Sequence, residues 1–195
     1  MPKMEESRSG SDLLQQVAGE LYHLGVMLLG ESEATVVLVE RAIATAEIPA
    51  SADSASARHS ARVAMAAAAI ETLSQQATAQ GRPALAAPDG AYGPPNCIGD
   101  DDLDAAGVSA HELEELISGP GRVRMRAWLE GLPVAERTVF VLRTVGGLTT
   151  PEVAGLLALH GGNAAQGWMT DAVRSVFRQA LCALASQLLQ NSNNR

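Results

Sequence analysis

Aromatic residues are scarce: Trp128, Trp168, Phe140, Phe177, Tyr22 and Tyr92 are the whole set in 195 residues. A β-sandwich built on large rings is therefore excluded, and any core must be Leu, Val and Ala packed between helices. Cysteine is nearly missing as well. Cys97 lies in a Pro/Gly-rich stretch and Cys182 in a helical pattern far from it, so nothing in their spacing suggests a disulfide framework, and a reducing cytosol fits best. No window approaches the ~18 continuous apolar residues of a membrane span. No N-terminal run has the make-up of a signal peptide. These absences predict a soluble, cytoplasmic chain with no membrane contact. Basic charge is also short, with a formal net charge of −8, which argues against a nucleic-acid partner until the chain is divided. Up to residue 121 there are six basic against eighteen acidic side chains; from residue 122 on there are eight against four. The sign reverses there, as expected when one part of a chain meets a polyanion and the other meets solvent or a protein.

What is present is helical periodicity. Leu14, Val17, Leu21, Leu24 and Leu28 recur at three and four, which predicts a helix over residues 12–29 started by Ser11 or Asp12. After Gly30, the segment with Val36, Val37, Leu38, Val39 and Ile43 could pass as a strand on β-branching alone, but its helical neighbours favour a helix. The Ala-rich run 58–76 has strong helix propensity and small side chains at 66–69 that permit close packing. Residues 81–121 hold Pro83, Pro88, Pro94, Pro95 and the acidic group Asp100, Asp101, Asp102 and Asp104, and read as a linker with one short helix announced by the capping-box spacing of Ser109 and Glu112. The expected fold is all-α, with two small helical lobes, 1–80 and 122–190, on either side of that linker and a short tail at 191–195.

Candidate chemistry is sparse. The aspartates lack the alternating ligands, central Gly and distal Glu of a calcium loop, and His23, His59, His111 and His160 pair with nothing at metal-ligand spacing. Neither a phosphate loop nor a nucleophile elbow is seen. No enzymatic activity, cofactor, metal or small-molecule substrate is expected.

The informative stretch is "LPVAERTVFVLRTVGGLTTPEVAGLL", residues 132–157. Pro133 opens a helix, Gly146 and Gly147 stop it, and Thr149 with Glu152 gives a second capping box with Pro151 in the first turn. A last helix begins near Thr170 or Asp171 and carries Val173, Val176, Phe177, Ala180, Leu181, Leu184 and Leu188 on one stripe, with Arg174 and Arg178 on its other side. Leu132, Pro133, Arg137, Val139, Phe140, Leu142, Arg143, Gly147, Leu148, Thr149, Glu152, Val153 and Ala154 resemble region four of the extracytoplasmic-function sigma factors. Val173, Arg174 and Ser175 look like the start of that family's reading helix. More faintly, residues 28–31 and 38–40 are similar to region two.

The resemblance implies a C-terminal helix-turn-helix. Its reading helix would meet promoter DNA through Arg174, Ser175, Arg178 and Gln179, and Thr149 and Thr150 would lie at the phosphate backbone. It also implies that Leu38, Glu40 and Arg41 face core RNA polymerase, in transcription initiation. The sequence departs from the family in two places. Residues 47–80 hold no Trp, Tyr, Phe or Lys, so a stacking platform for flipped bases is missing. The turn before the reading helix is enlarged by residues 161–170, and that helix keeps only two arginines, which predicts weaker DNA binding. The alternative is a degenerate sigma mimic that binds a protein, such as an anti-sigma factor, without touching DNA. Arg122, Arg124 and Arg126 could meet phosphate as readily as water. Arg137 and Arg143 are expected to brace helices through carboxylates such as Glu152, Trp168 to plug the enlarged turn, and Cys182 to be inert packing.

Overall fold

In the computed structural model, the described residues are 3–46, 48, 53–81, 85–88, 111, 115, 119 and 121–193, with side chains described only between residues 15 and 187. Every regular element among them is helical. The helix announced by Ser109 and Glu112, the aspartate group 100–104, Tyr92 and Cys97 lie outside the described residues, apart from the isolated His111, Glu115 and Gly119.

Helix α1 spans Lys3–Leu29 and buries Leu21, Leu24 and Leu28, the stripe read from the sequence. It stops at Gly30, whose φ of 87° lies in the left-handed region where a side chain is strained. Helix α2, Glu33–Thr45, starts at Ser32, whose side chain accepts from the Thr35 backbone N–H. The Thr35 hydroxyl donates back to the Gly30 carbonyl at 2.8 Å, so this buried hydroxyl is satisfied and the α1–α2 corner is fixed. The segment that could have passed as a strand is thus a helix. Helix α3, Ser54–Ala79, is capped by Asp53 through the Ser56 N–H at 2.7 Å. Its centre is Met65, Ala66, Ala69 and Ile70, all buried.

Four helices make up the rest: α4, Arg122–Gly131; α5, Val134–Thr144; α6, Thr150–His160; and α7, Thr170–Asn193. A single 3₁₀ turn, Asn163–Ala165, lies between the last two. Pro133 precedes α5 directly, and Gly147, with φ 63°, makes the corner into α6. Both halves of the expected capping box form at α6: Thr149 accepts from the Glu152 N–H, and the Glu152 carboxylate accepts from the Thr149 N–H at 2.7 Å.

The sequence predicts two small helical lobes on either side of a linker; the buried residues described in both stretches form one cluster, running from Leu21 and Ile70 through Phe140 and Leu157 to Leu181. Helix α3 is the reason. It packs against α1 and α2 on one side and against α6 on the other, while α1 also meets α5. With Ala at 66, 68 and 69 the backbones approach closely, so apolar stripes of both halves share one dry interior.

Candidate nucleic-acid interface

Helix α7 has a buried side and a more open one, although the Arg178 Nε is itself buried. Val173, Val176, Phe177, Ala180, Leu181 and Leu184 are buried against α5 and α6. Steps of 100° then place Arg174, Ser175, Arg178 and Gln179 on the outward half of the helix. Arg174 and Gln179 are exposed, and Ser175 and Arg178 are half-buried. The Arg174 guanidinium meets Asp171 at 3.2 Å, an exposed pair that contributes little to stability and places a negative group beside the cation. The four residues singled out on this helix therefore share one surface.

The other expected contacts are distributed differently. Thr149 is exposed, but its hydroxyl is engaged with Glu152 at 2.6 Å. Thr150 is only 7% exposed, which removes it from the expected phosphate contacts. The cause is the packing of α6: its first turn faces inward toward α3, which no local pattern in the sequence announces. On α2, Leu38 is also 7% exposed and belongs to the core, whereas Glu40 and Arg41 face outward. Arg41 pairs with Glu71 at 3.1 Å. Val36 and Val37 complete that outward face, exposed apolar residues that the reading of the sequence placed inside the helix's apolar segment.

The sequence also missed the contacts that hold α6 against α3. His59 Nε2 lies 2.7 Å from Glu152 Oε1, His160 Nδ1 lies 2.9 Å from Glu71 Oε1, and the Ser74 hydroxyl donates to the Gly161 carbonyl at 2.9 Å. Partners separated by about ninety positions leave no local signal. Arg143 braces the helices as expected, though through other groups: it donates to the Leu148 carbonyl at 2.8 Å and stands 5.0 Å over the Phe177 ring. Trp168 plugs the enlarged turn, buried and donating to the Leu85 carbonyl at 2.9 Å.

Glu152 carries more than one task. The Thr149 hydroxyl holds its carboxyl below the ordinary carboxylate range, helped by the Thr149 N–H and the His59 ring and opposed by slight burial. A lowered value means that the ionised form adds stability above the ordinary carboxylate pKa, and that this contribution fades as pH falls through the lowered value. Glu152→Gln keeps an oxygen that can accept from the Thr149 N–H and removes only the charge, so it is expected to lower stability near neutrality by about 0.3–1 kcal/mol, the range for a negative group at a helix N-terminus. Urea titrations across the acid range should show the two proteins converging.

Cys182 requires a correction. It packs against the core as expected, but its sulfur is disulfide-bonded; the sequence has one other cysteine, Cys97, outside the described residues. A bridge needs Cα atoms within about 7 Å, a property of the fold on which sequence spacing is silent. Cysteine usage thus no longer argues for a reducing compartment. Among the described residues no group of His, Cys, Asp and Glu could hold a metal ion, and no helix is long and apolar enough to cross a membrane. Compared with known families, curated proteins and solved structures, the chain matches none.

Proposed function

We propose that this chain is a sigma-like transcription regulator in which α6 and α7 act as a helix-turn-helix and the outward strip of α7 meets promoter DNA. The observation that carries the reading is that strip: Arg174, Ser175, Arg178 and Gln179 stand together on the side of α7 away from its buried aliphatic stripe. That helix follows the segment resembling sigma region four. Arginine suits the role because its guanidinium can bridge two phosphate oxygens or two acceptors on a guanine edge. The outward face of α2, with Val36, Val37, Glu40 and Arg41, is the proposed contact for core RNA polymerase, and such a role places the chain in the cytoplasm. No catalytic step and no cofactor is proposed.

The test is binding of promoter-derived duplexes by fluorescence anisotropy over a salt series. With two phosphate-seeking arginines, replacing both Arg174 and Arg178 by Ala is expected to weaken binding and to flatten the slope of log K against log salt by about two. Wild-type protein that shows no salt-dependent binding at low ionic strength and does not retain core polymerase would defeat the proposal.

A second reading is favoured by a specific set of contacts. Thr149 and Glu152 are engaged with each other and with His59, Thr150 is buried, and Asp171 offsets Arg174. These contacts engage groups that would otherwise be offered to DNA, which supports the reading of a sigma mimic that docks on a protein, such as an anti-sigma factor, instead of DNA. Under it, the double arginine substitution leaves partner binding unchanged.

A further inference from the structure

A cavity of about 650 Å³ opens between the end of α1 and α4, away from the outward strip of α7. Its volume lies within the ~300–1,000 Å³ typical of small-molecule sites. Three arginines line it: Arg122 and Arg126 from α4, and Arg137 from α5. The carboxylates at its edge are Glu31 and Glu130, and the charges are not matched one to one. Glu31 is engaged with Arg126 at 3.3 Å. Arg122 and Arg137 form no ion pair among the described residues. Glu130 acts on Arg137 only through space and opposes the burial that pulls the guanidinium below its ordinary value. Even so, an arginine stays charged.

Arg137 is the informative member. Its Nε is buried and has no hydrogen-bond partner among the described residues. With that donor unmatched, the guanidinium is best served by an occupant that brings acceptor oxygens to its remaining N–H groups. The lining also holds apolar side chains, Val26 and Met27 from α1 and Leu129 from α4. Cationic donors and hydrocarbon in one cavity select a ligand that carries both an anionic group and an apolar body.

We propose that this cavity binds a small amphipathic oxyanion, its carboxylate or phosphate group held by Arg122 and Arg137 and its apolar body laid against Met27 and Leu129. The proposal is independent of whether α7 meets DNA. The full chain would be titrated with octanoate and with octyl phosphate, and with 1-octanol and inorganic phosphate as controls, followed by calorimetry and by amide chemical shifts. Saturable one-to-one binding of either amphiphile is expected, with shifts concentrated at residues 22–31 and 122–131. Arg122→Gln, an exposed position, should keep the unfolding midpoint and weaken binding tenfold or more; Arg137→Gln should weaken it at least as far where it folds. The comparison of octanoate with octyl phosphate identifies the headgroup. Octanol binding as tightly as octanoate, inorganic phosphate as tightly as octyl phosphate, an unchanged affinity in Arg122→Gln, shifts elsewhere, or no saturable binding would each overturn the assignment.

Discussion

Phe140→Ala is expected to lower the stability of the whole chain by about 3–5 kcal/mol, the range for removing a buried ring and leaving a cavity. Phe140 is 1% exposed and sits between two other rings. Trp128 meets it edge-on with centroids 5.1 Å apart, and Phe177 lies 6.0 Å away on α7. With so few aromatics, this trio is a large share of the ring surface the protein can bury. A loss of that size is a large fraction of the ~5–15 kcal/mol by which domains are stable, and should lower the melting temperature by about 10 °C or more. The shared core adds a sharper expectation. Far-UV circular dichroism, dominated by the helices, and tryptophan fluorescence, reporting on α4 and the turn before α7, should melt together in wild type and variant alike. Two separated transitions, with the N-terminal helices indifferent to Phe140, would contradict a continuous interior.

Trp168→Ala is expected to be nearly as severe. The indole is 2% exposed, and its N–H satisfies the Leu85 carbonyl, a residue just past the end of α3. The Ala87 N–H likewise donates to the Ala164 carbonyl at 3.0 Å. Truncation thus opens a cavity of about 3–5 kcal/mol and strands a buried acceptor in the same step. Trp168→Phe separates the two effects, because it keeps most of the apolar volume and deletes only the donor. Urea midpoints should rank wild type, then Phe, then Ala. If Ala stays within about 0.5 kcal/mol of wild type, the range for an innocuous surface change, the indole is not the anchor of the enlarged turn.

Much of the fold was legible because it rests on local rules. The stripe of Leu21, Leu24 and Leu28, the reciprocal cap of Thr149 and Glu152, the Pro133 start and the stripe of α7 from Val173 to Leu184 each follow from spacing along a helix. The plug at Trp168 was legible too, since a large ring in a Gly-rich turn has few places to go. What stayed hidden was partnership. Ala66 and Ile70 on α3 have the same chemistry whether they face α1 or α6, so periodicity gives the width of a stripe and not the identity of what covers it. Leu38 and Thr150 were misplaced for that reason: α2 is covered by α1 and α3, and α6 packs on α3, far from it in sequence. The His59–Glu152 and His160–Glu71 pairs, and the bond at Cys182, belong to the same class. Of the candidate site, the strip on α7 could be anticipated; the neighbours that engage the start of α6 could not.

The alanines in the middle of α3 carry a consequence for how this molecule can change. A side chain one methylene longer at Ala66 or Ala69 has no solvent to escape into, since both positions are fully enclosed. The blandest letters in the chain thus set the spacing between its front and back, and they act as a fixed spine. A bulkier side chain at either position must push α3 away from the helices packed on it, α6 among them.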